Sequence, residues 1–275
     1  MTAPPLPLPP ALITIGLTAW PFPKAPEPAA LFRFAALDEL IARLAFAVHL
    51  RGIALVTGDP GSGKSTALRL FLSTLVERSH PVVYLADSHL TPPEFYARVL
   101  DHFGVTPGFT HSQRRRQFQA LLLDLAQVGD QVPIVIVDEA HELMPDMVQE
   151  LRYVQNVHMD AQSAFALILC GQSEIRSQLR LKAFEAVAQR ITVRAHLQGL
   201  DRHDTAAYIR HALAKAGVDR SVFTDAAIDL LHAQSRGLMR RVGTIAGHAL
   251  LDAGIGGQQL VEEPNIRRAV AETDE

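Results

Sequence analysis

Three features of the sequence predict an α/β domain with a mostly parallel five-stranded sheet, followed by a small all-α domain. Short apolar runs alternate with segments of helical periodicity from about residue 35 to residue 200. Three of the runs, 53–58, 134–138 and 165–171, lack polar alternation, as strands buried on both faces of a parallel sheet do. Beyond Asp201 only helical patterns remain. The expected division is a Pro-rich N-terminal segment 1–30, partly disordered, an α/β domain 31–199 and a helical lid domain 200–275.

The elements follow in order. Residues 1–30 hold nine of the 17 prolines, which fix φ and remove donors, so residues 1–12 read as a mobile tail. The aromatics of "GLTAWPF" mark the next stretch for packing against the core. Leu37, Leu40, Ile41, Leu44 and Val48 recur at helical spacing. "IALVTG" reads as a strand and "KSTALRLFLSTLVERS" (64–79) as a helix. "VVYLA" (82–86) is a second strand, and Thr91-Pro92-Pro93 opens a helix. Another helix spans 112–127, ahead of the strand "IVIVD". A helix over 146–157, the strand "FALILCG" and a short strand over 191–196 complete the α/β part. Gly217, Gly237 and Gly254 to Gly257 break the later helices.

Bulk properties narrow the class. The chain has 275 residues, 48% hydrophobic and 20% charged, with a formal net charge of −3. That balance excludes bulk coating of nucleic acid, so any such contact needs a local basic patch. Cys170, the single cysteine, excludes an intrachain disulfide. No apolar run reaches the length of a membrane span, and no basic-then-apolar leader is present, so a cytoplasmic protein with no membrane contact is expected.

"GDPGSGKST", Gly58 to Thr66, matches G-x-x-x-x-G-K-[ST] between a strand and a helix. Gly58, Asp59, Pro60, Gly61, Ser62 and Gly63 present backbone N–H groups to phosphates. Lys64 is placed to reach the β- and γ-phosphates of ATP, Ser65 to bind Mg²⁺, and Thr66 completes the nucleotide-binding loop. Downstream, "IVIVDEAHEL" ends an apolar strand in Asp138 and Glu139. Asp138 suits Mg²⁺, and Glu139 suits orientation or deprotonation of the attacking water. His141 reads as a bystander or a support for its neighbours. The letters DEAH do not make a helicase of that group, which needs a second α/β domain with an arginine motif; the chain contains neither.

Three further residues join the nucleotide set. Gln172 ends a buried strand at the edge where ligands bind, to hydrogen-bond a γ-phosphate or a water, or else to cap a turn. Arg190, before the 191–196 strand, is either a solvated side chain or one that reaches the nucleotide of a neighbouring subunit. Gly237 precedes Arg240 by three residues; either this turn aims Arg240 back at the phosphates, with Arg241 its competitor, or the basic pair lies on a solvated face.

Together these stretches resemble the AAA+ ATPases, and more closely the ExeA-like group that includes the TnsC- and TniB-type transposition ATPases. The likeness runs from Gly16 through "GLTAWPF", "GIALVTGDPGSGKST", "IVIVDEAHEL", "LILCGQSEIRSQL", "AQRITVRAHLQGL" and "SRGLMRRV". It implies that Gln172 is the sensor 1 position, Arg190 the arginine finger and Arg240 sensor 2. Trp20 to Pro23, with Trp20 and Phe22, match the segment near adenine. It further implies a homo-oligomer, ring or helical filament, that binds double-stranded DNA with ATP and Mg²⁺. Its expected partners are a DDE transposase and a target-selector protein. The alternatives are an ExeA-like ATPase for assembly of a secretion system, or a nucleotide switch or loader for another DNA machine. Arg114, Arg115 and Arg116 are the first candidates for phosphate contacts, with His89, Arg98 and Arg152 behind them. Three consecutive arginines cannot share one helix face, so a solvated face is the competing reading.

Overall fold

The structure is a computed structural model and describes residues 7–24, 26–76, 79–86, 89–128, 131–154 and 163–273. Its chain divides into two compact units. One comprises Ala35–Gly58 and Ala67–Leu197; the other comprises Met1–Phe34, Asp59–Thr66 and Gln198–Glu275. We call them the sheet unit and the helical unit.

The sheet unit contains β1 (Ile53–Thr57), β2 (Val82–Leu85), β3 (Ile134–Val137), β4 (Ala166–Gly171) and β5 (Ile191–His196). They form one sheet of order β2-β3-β4-β1-β5, every pair parallel. Residues of β1, β3 and β4 are buried throughout, whereas the edge strands β2 and β5 carry exposed positions. Apolar runs without alternation thus mark the centre of the sheet, where both faces are covered.

One face contributes Ile53, Leu55, Val83, Val135, Val137, Leu167 and Leu169 to a core shared with the following helices. These are Pro92–His102, His111–Val128 and Pro145–Val154. A helix over Ala35–His49 contacts β1, β4 and β5 with residues outside that core. The Pro92–His102 helix starts where its sequence dictates. The Thr91 N–H donates to Glu94 Oε2 at 3.0 Å, and Pro92 and Pro93 occupy the first turn, where no N–H is needed.

The helix after β1 is shorter than its periodicity predicts, ending at Ser73. The Ser73 and Thr74 hydroxyls donate back to the carbonyls of Leu70 (2.7 Å) and Phe71 (2.6 Å) and close it. Residues 77–78 of the expected helix lie outside the described residues. So do residues 155–157 of the expected 146–157 helix.

The helical unit packs α-helices Arg202–Lys215, Asp225–Ser235, Met239–Ile255 and Glu263–Thr273 around one core, joined by a short N-terminal helix, Pro10–Thr14. The reading of residues 1–12 as a mobile tail is corrected from residue 7 onward. Proline at the first helical position is compatible with a helix start, and Leu12, Ile15 and Leu17 are buried. Residues 1–6 lie outside the described residues. Gly254 is likewise corrected: it lies inside the Met239–Ile255 helix rather than breaking it. A side chain there would meet Ala11 O at 2.2 Å, so the glycine admits the N-terminal segment. Gly243 and Gly247, on the same helix face, do the same for Phe22 and Trp20. Among the described residues no helix is long and apolar enough to cross a membrane.

Candidate active site

The parallel sheet places the carboxyl ends of its strands on one edge, the ligand edge of open α/β sheets. Within the sheet unit Gly58 leaves β1, Asp138 leaves β3 and Gln172 leaves β4 there. The 59–66 loop continues the chain from Gly58 into the helix Lys64–Ser73.

In the helical unit, that loop is built from backbone. Gly61 and Gly63 have φ of +82° and +101°, conformations that glycine adopts without strain. The Ser62 N–H donates to Asp59 O at 3.1 Å, and the buried Lys64 Nζ donates to the same carbonyl at 3.1 Å. Ser62 Oγ is buried with no protein partner among the described residues, as a polar atom beside a bound anion would be. Ser65 is exposed and Thr66 half-buried.

The loop also holds the start of the Met239–Ile255 helix. Leu238, its N-cap, offers no side-chain cap, and the Arg240 N–H instead donates to Gly61 O at 3.3 Å. Gly237, φ +68°, makes the turn ahead of this helix. A Cβ there would lie 1.9 Å from Leu200 O, and Leu200 N–H donates to Gly237 O at 2.8 Å. The backbone of Arg240 is therefore fixed against the phosphate loop, while its side chain and that of Arg241 are exposed. Trp20 Nε1 donates to Phe22 O at 2.8 Å, and the two rings meet edge to face on the glycine face of this helix.

In the sheet unit, the acids are held by side chains. Asp138 is buried; its Oδ1 accepts the Glu139 N–H at 2.9 Å, and its Oδ2 accepts the Tyr84 hydroxyl. Burial, then the hydrogen bond to Asp138, pushes the Tyr84 phenol above its ordinary range. Each carboxylate oxygen keeps a further lone pair, so the donor set fits a water-bridged Mg²⁺. Glu139 takes a left-handed conformation, φ +49° and ψ +36°, uncommon for a residue with a Cβ. Its side chain is half exposed, and its Oε2 lies 3.5 Å from His141 Nδ1. Gln172 Nε2 lies 2.8 Å from His141 Nε2. Tyr84 is the residue that sequence reasoning missed: its partner Asp138 lies 54 positions away, beyond any local pattern. His141, read as a bystander or a support for its neighbours, lies against Glu139 and Gln172.

The remaining candidates scatter over the sheet unit. Arg190 is half-buried and ends the helix Glu185–Arg190 directly before β5. Arg114 is committed within the fold, its Nε donating to Gly108 O (2.7 Å) and its Nη1 to Pro93 O (3.2 Å). Arg115 lies 3.7 Å from Glu150 and over the Tyr153 ring, and Arg152 covers the same ring at 4.2 Å. Arg116, Arg98 and His89 are exposed. The geometry thus brings Arg115 and Arg152 together around Tyr153 and turns Arg114 away.

A glycine loop after β1, paired acids after β3 and the order β2-β3-β4-β1-β5 make up the fold of AAA-type P-loop nucleotide hydrolases. Residues 48–179 match the family described as AAA domain, a family of ATPase domains that use ATP and Mg²⁺. The chain is similar to the General secretion pathway protein A of Aeromonas hydrophila, 31% identical over 262 residues. The match covers 94% of the chain and 47% of that relative, so the chain spans about half its length. Among solved structures, Cdc6p from Pyrobaculum aerophilum superposes with TM-score 0.69 at 15% identity, covering 92% of this chain and 70% of that one. The Aeropyrum pernix ORC1 protein in complex with DNA gives 0.63 at 16%, covering 89% and 67%. The Thermotoga maritima RuvB Holliday junction branch migration motor gives 0.52 at 14%, covering 86% and 67%. At these identities the likeness is one of fold.

Proposed function

We propose that the protein is an ATP-driven, DNA-binding oligomer that regulates a DDE transposase through target selection. The observation that carries its ATP chemistry is the ligand edge of the sheet, where Asp138, Glu139 and Gln172 stand together beyond β3 and β4. In this reading Lys64 holds the β- and γ-phosphates and the Gly58–Gly63 backbone cradles them. Ser65 and Asp138 hold Mg²⁺, which would supply neutralisation of phosphate charge when bound. Glu139 orients and deprotonates the attacking water, Gln172 binds the γ-phosphate, and Arg240 binds phosphate from the helical unit. Arg190 acts on the nucleotide of an adjacent subunit. Trp20 and Phe22 lie by the adenine. DNA contacts fall to Arg115, Arg116 and Arg152, with Arg98 and His89 as further candidates. Solved structures of similar fold that are named as DNA complexes support a nucleic-acid partner. The protein alone, with duplex DNA, Mg²⁺ and a non-hydrolysable ATP analogue at low salt, should give DNA-bound rings or filaments under the electron microscope. Bare DNA under those conditions contradicts the reading.

A second reading, an ATPase that assembles a secretion system, is favoured by one observation, the relative named for the general secretion pathway. A peptidoglycan or secretin-domain pull-down that is ATP-dependent, together with no DNA binding, would select it.

A further inference from the structure

His141 lies between the two residues that the proposed function assigns to water and to phosphate. Its ring is 11% exposed, on the turn Ala140–Glu142 that follows Glu139. Gly171, the last residue of β4, lets this turn approach: a Cβ there would lie 3.0 Å from His141 N and 3.4 Å from Nδ1. Two ring nitrogens then face more partners than they can serve at once. Nδ1 lies 3.4 Å from the Gln172 backbone N–H donor and 3.5 Å from Glu139 Oε2. Nε2 lies 2.8 Å from the Gln172 side-chain amide and 4.0 Å from Glu142 Oε1.

A neutral imidazole has one donor and one acceptor nitrogen, so two arrangements are open, each serving part of this geometry. In the first, Nδ1–H donates to Glu139, and Nε2 accepts from the Gln172 amide NH₂. The Gln172 carbonyl oxygen then faces outward, and Glu139 is held. In the second, Nδ1 accepts the Gln172 backbone N–H, and Nε2–H donates to the Gln172 amide oxygen. The Gln172 NH₂ then faces outward, the polarity an anion requires, and Glu139 is released. Exchange between them moves one proton from Nδ1 to solvent and one from solvent to Nε2, with a half-turn of the amide. Charge and proton count are unchanged.

We propose that His141 is a positioning residue that couples Glu139 to Gln172 through its tautomer. With a γ-phosphate before Gln172, the Nε2–H form prevails and Glu139 is free to act on water. With ADP, the Nδ1–H form returns and Glu139 is restrained. The coupling rests on the assigned roles of Glu139 and Gln172, and its test separates the two.

The test uses the full chain with ¹⁵N-labelled histidine and the ring-nitrogen shifts of His141, first with ADP and Mg²⁺, then with a non-hydrolysable ATP analogue and Mg²⁺. The resonance is assigned by its loss in His141→Asn. The protonated nitrogen should switch from Nδ1 to Nε2; the same tautomer in both states overturns the proposal. Steady-state kinetics give the second arm. His141→Ala should lower kcat about tenfold to a hundredfold with KM for ATP unchanged within about twofold, in the range of a lost positioning contact. His141→Ala/Gln172→Ala should be no worse than Gln172→Ala, since one unit is lost once. Multiplying losses overturn the coupling. Glu139→Gln is the control on the site itself. If it keeps full turnover, the assigned role of Glu139 fails; if it loses turnover while His141→Ala does not, only the coupling fails.

Discussion

The 58–66 loop and the 138–142 turn bring their groups to bear by opposite means. The loop relies on main chain: positive φ at Gly61 and Gly63, a Gly61 carbonyl that caps the helix carrying Arg240, and one lysine seated on Asp59 O. The turn relies on side chains: Tyr84 on Asp138, His141 between Glu139 and Gln172, and a left-handed Glu139. A main-chain device is written into contiguous residues. A side-chain device depends on residues that only the folded sheet brings together, so single substitutions dissect it more finely.

The largest expected effect is on the loop. Lys64→Ala removes its single long cation and should weaken ATP binding about a hundredfold or more, as lost charge-assisted hydrogen bonds do. Isothermal titration checks it, and unchanged affinity would show that the backbone suffices. Next comes the turn that seats Arg240. Gly237→Ala places a Cβ on Leu200 O and should cost about 2–4 kcal/mol in urea unfolding. Gly257→Ala has the same φ of +68° but open space around it, and should cost only about 1–2 kcal/mol. Equal losses would mean that φ alone matters.

A smaller effect belongs to the acidic turn. Tyr84→Phe leaves Asp138 Oδ2 without its protein donor. It should raise the Mg²⁺ concentration for half-maximal turnover about fivefold, with nucleotide affinity unchanged, the scale of one hydrogen bond near 1 kcal/mol. The smallest effect is remote from both. Arg268, then Asn265, holds the Asp252 carboxyl below its ordinary range. A depressed carboxyl stabilises the fold above its unfolded value and loses that contribution as pH falls through the folded one. Asp252→Asn should therefore lower Tm slightly at neutral pH, by under about 1 kcal/mol of stability. The difference should shrink below about pH 4. A gap that persists at pH 3 would contradict the assignment.

The same contrast explains what was legible in the sequence. Loop 58–66 was, because glycine spacing dictates its conformation. So was the sheet, because unbroken apolar runs at 53–57, 134–137 and 166–171 have no solvated face to offer. Asp138 and Glu139 followed from a strand end. The order β2-β3-β4-β1-β5 and the pairs Tyr84–Asp138 and His141–Gln172 did not, since they arise from strand neighbours far apart in the chain. Proline content suggested mobility for residues 7–12, yet a proline at the head of a helix and the close approach of Ala11 to Gly254 order that stretch. Nor did "RRR" show that Arg114 would be consumed by the carbonyls of Gly108 and Pro93.

The central claim is that binding resides in the loop and hydrolysis in the turn, and Glu139→Gln tests it most directly. With equal ATP affinity by titration, single-turnover hydrolysis should fall about 10²- to 10⁴-fold, the range of a lost general base. Hydrolysis at the wild-type rate, or loss of ATP binding together with turnover, would contradict it.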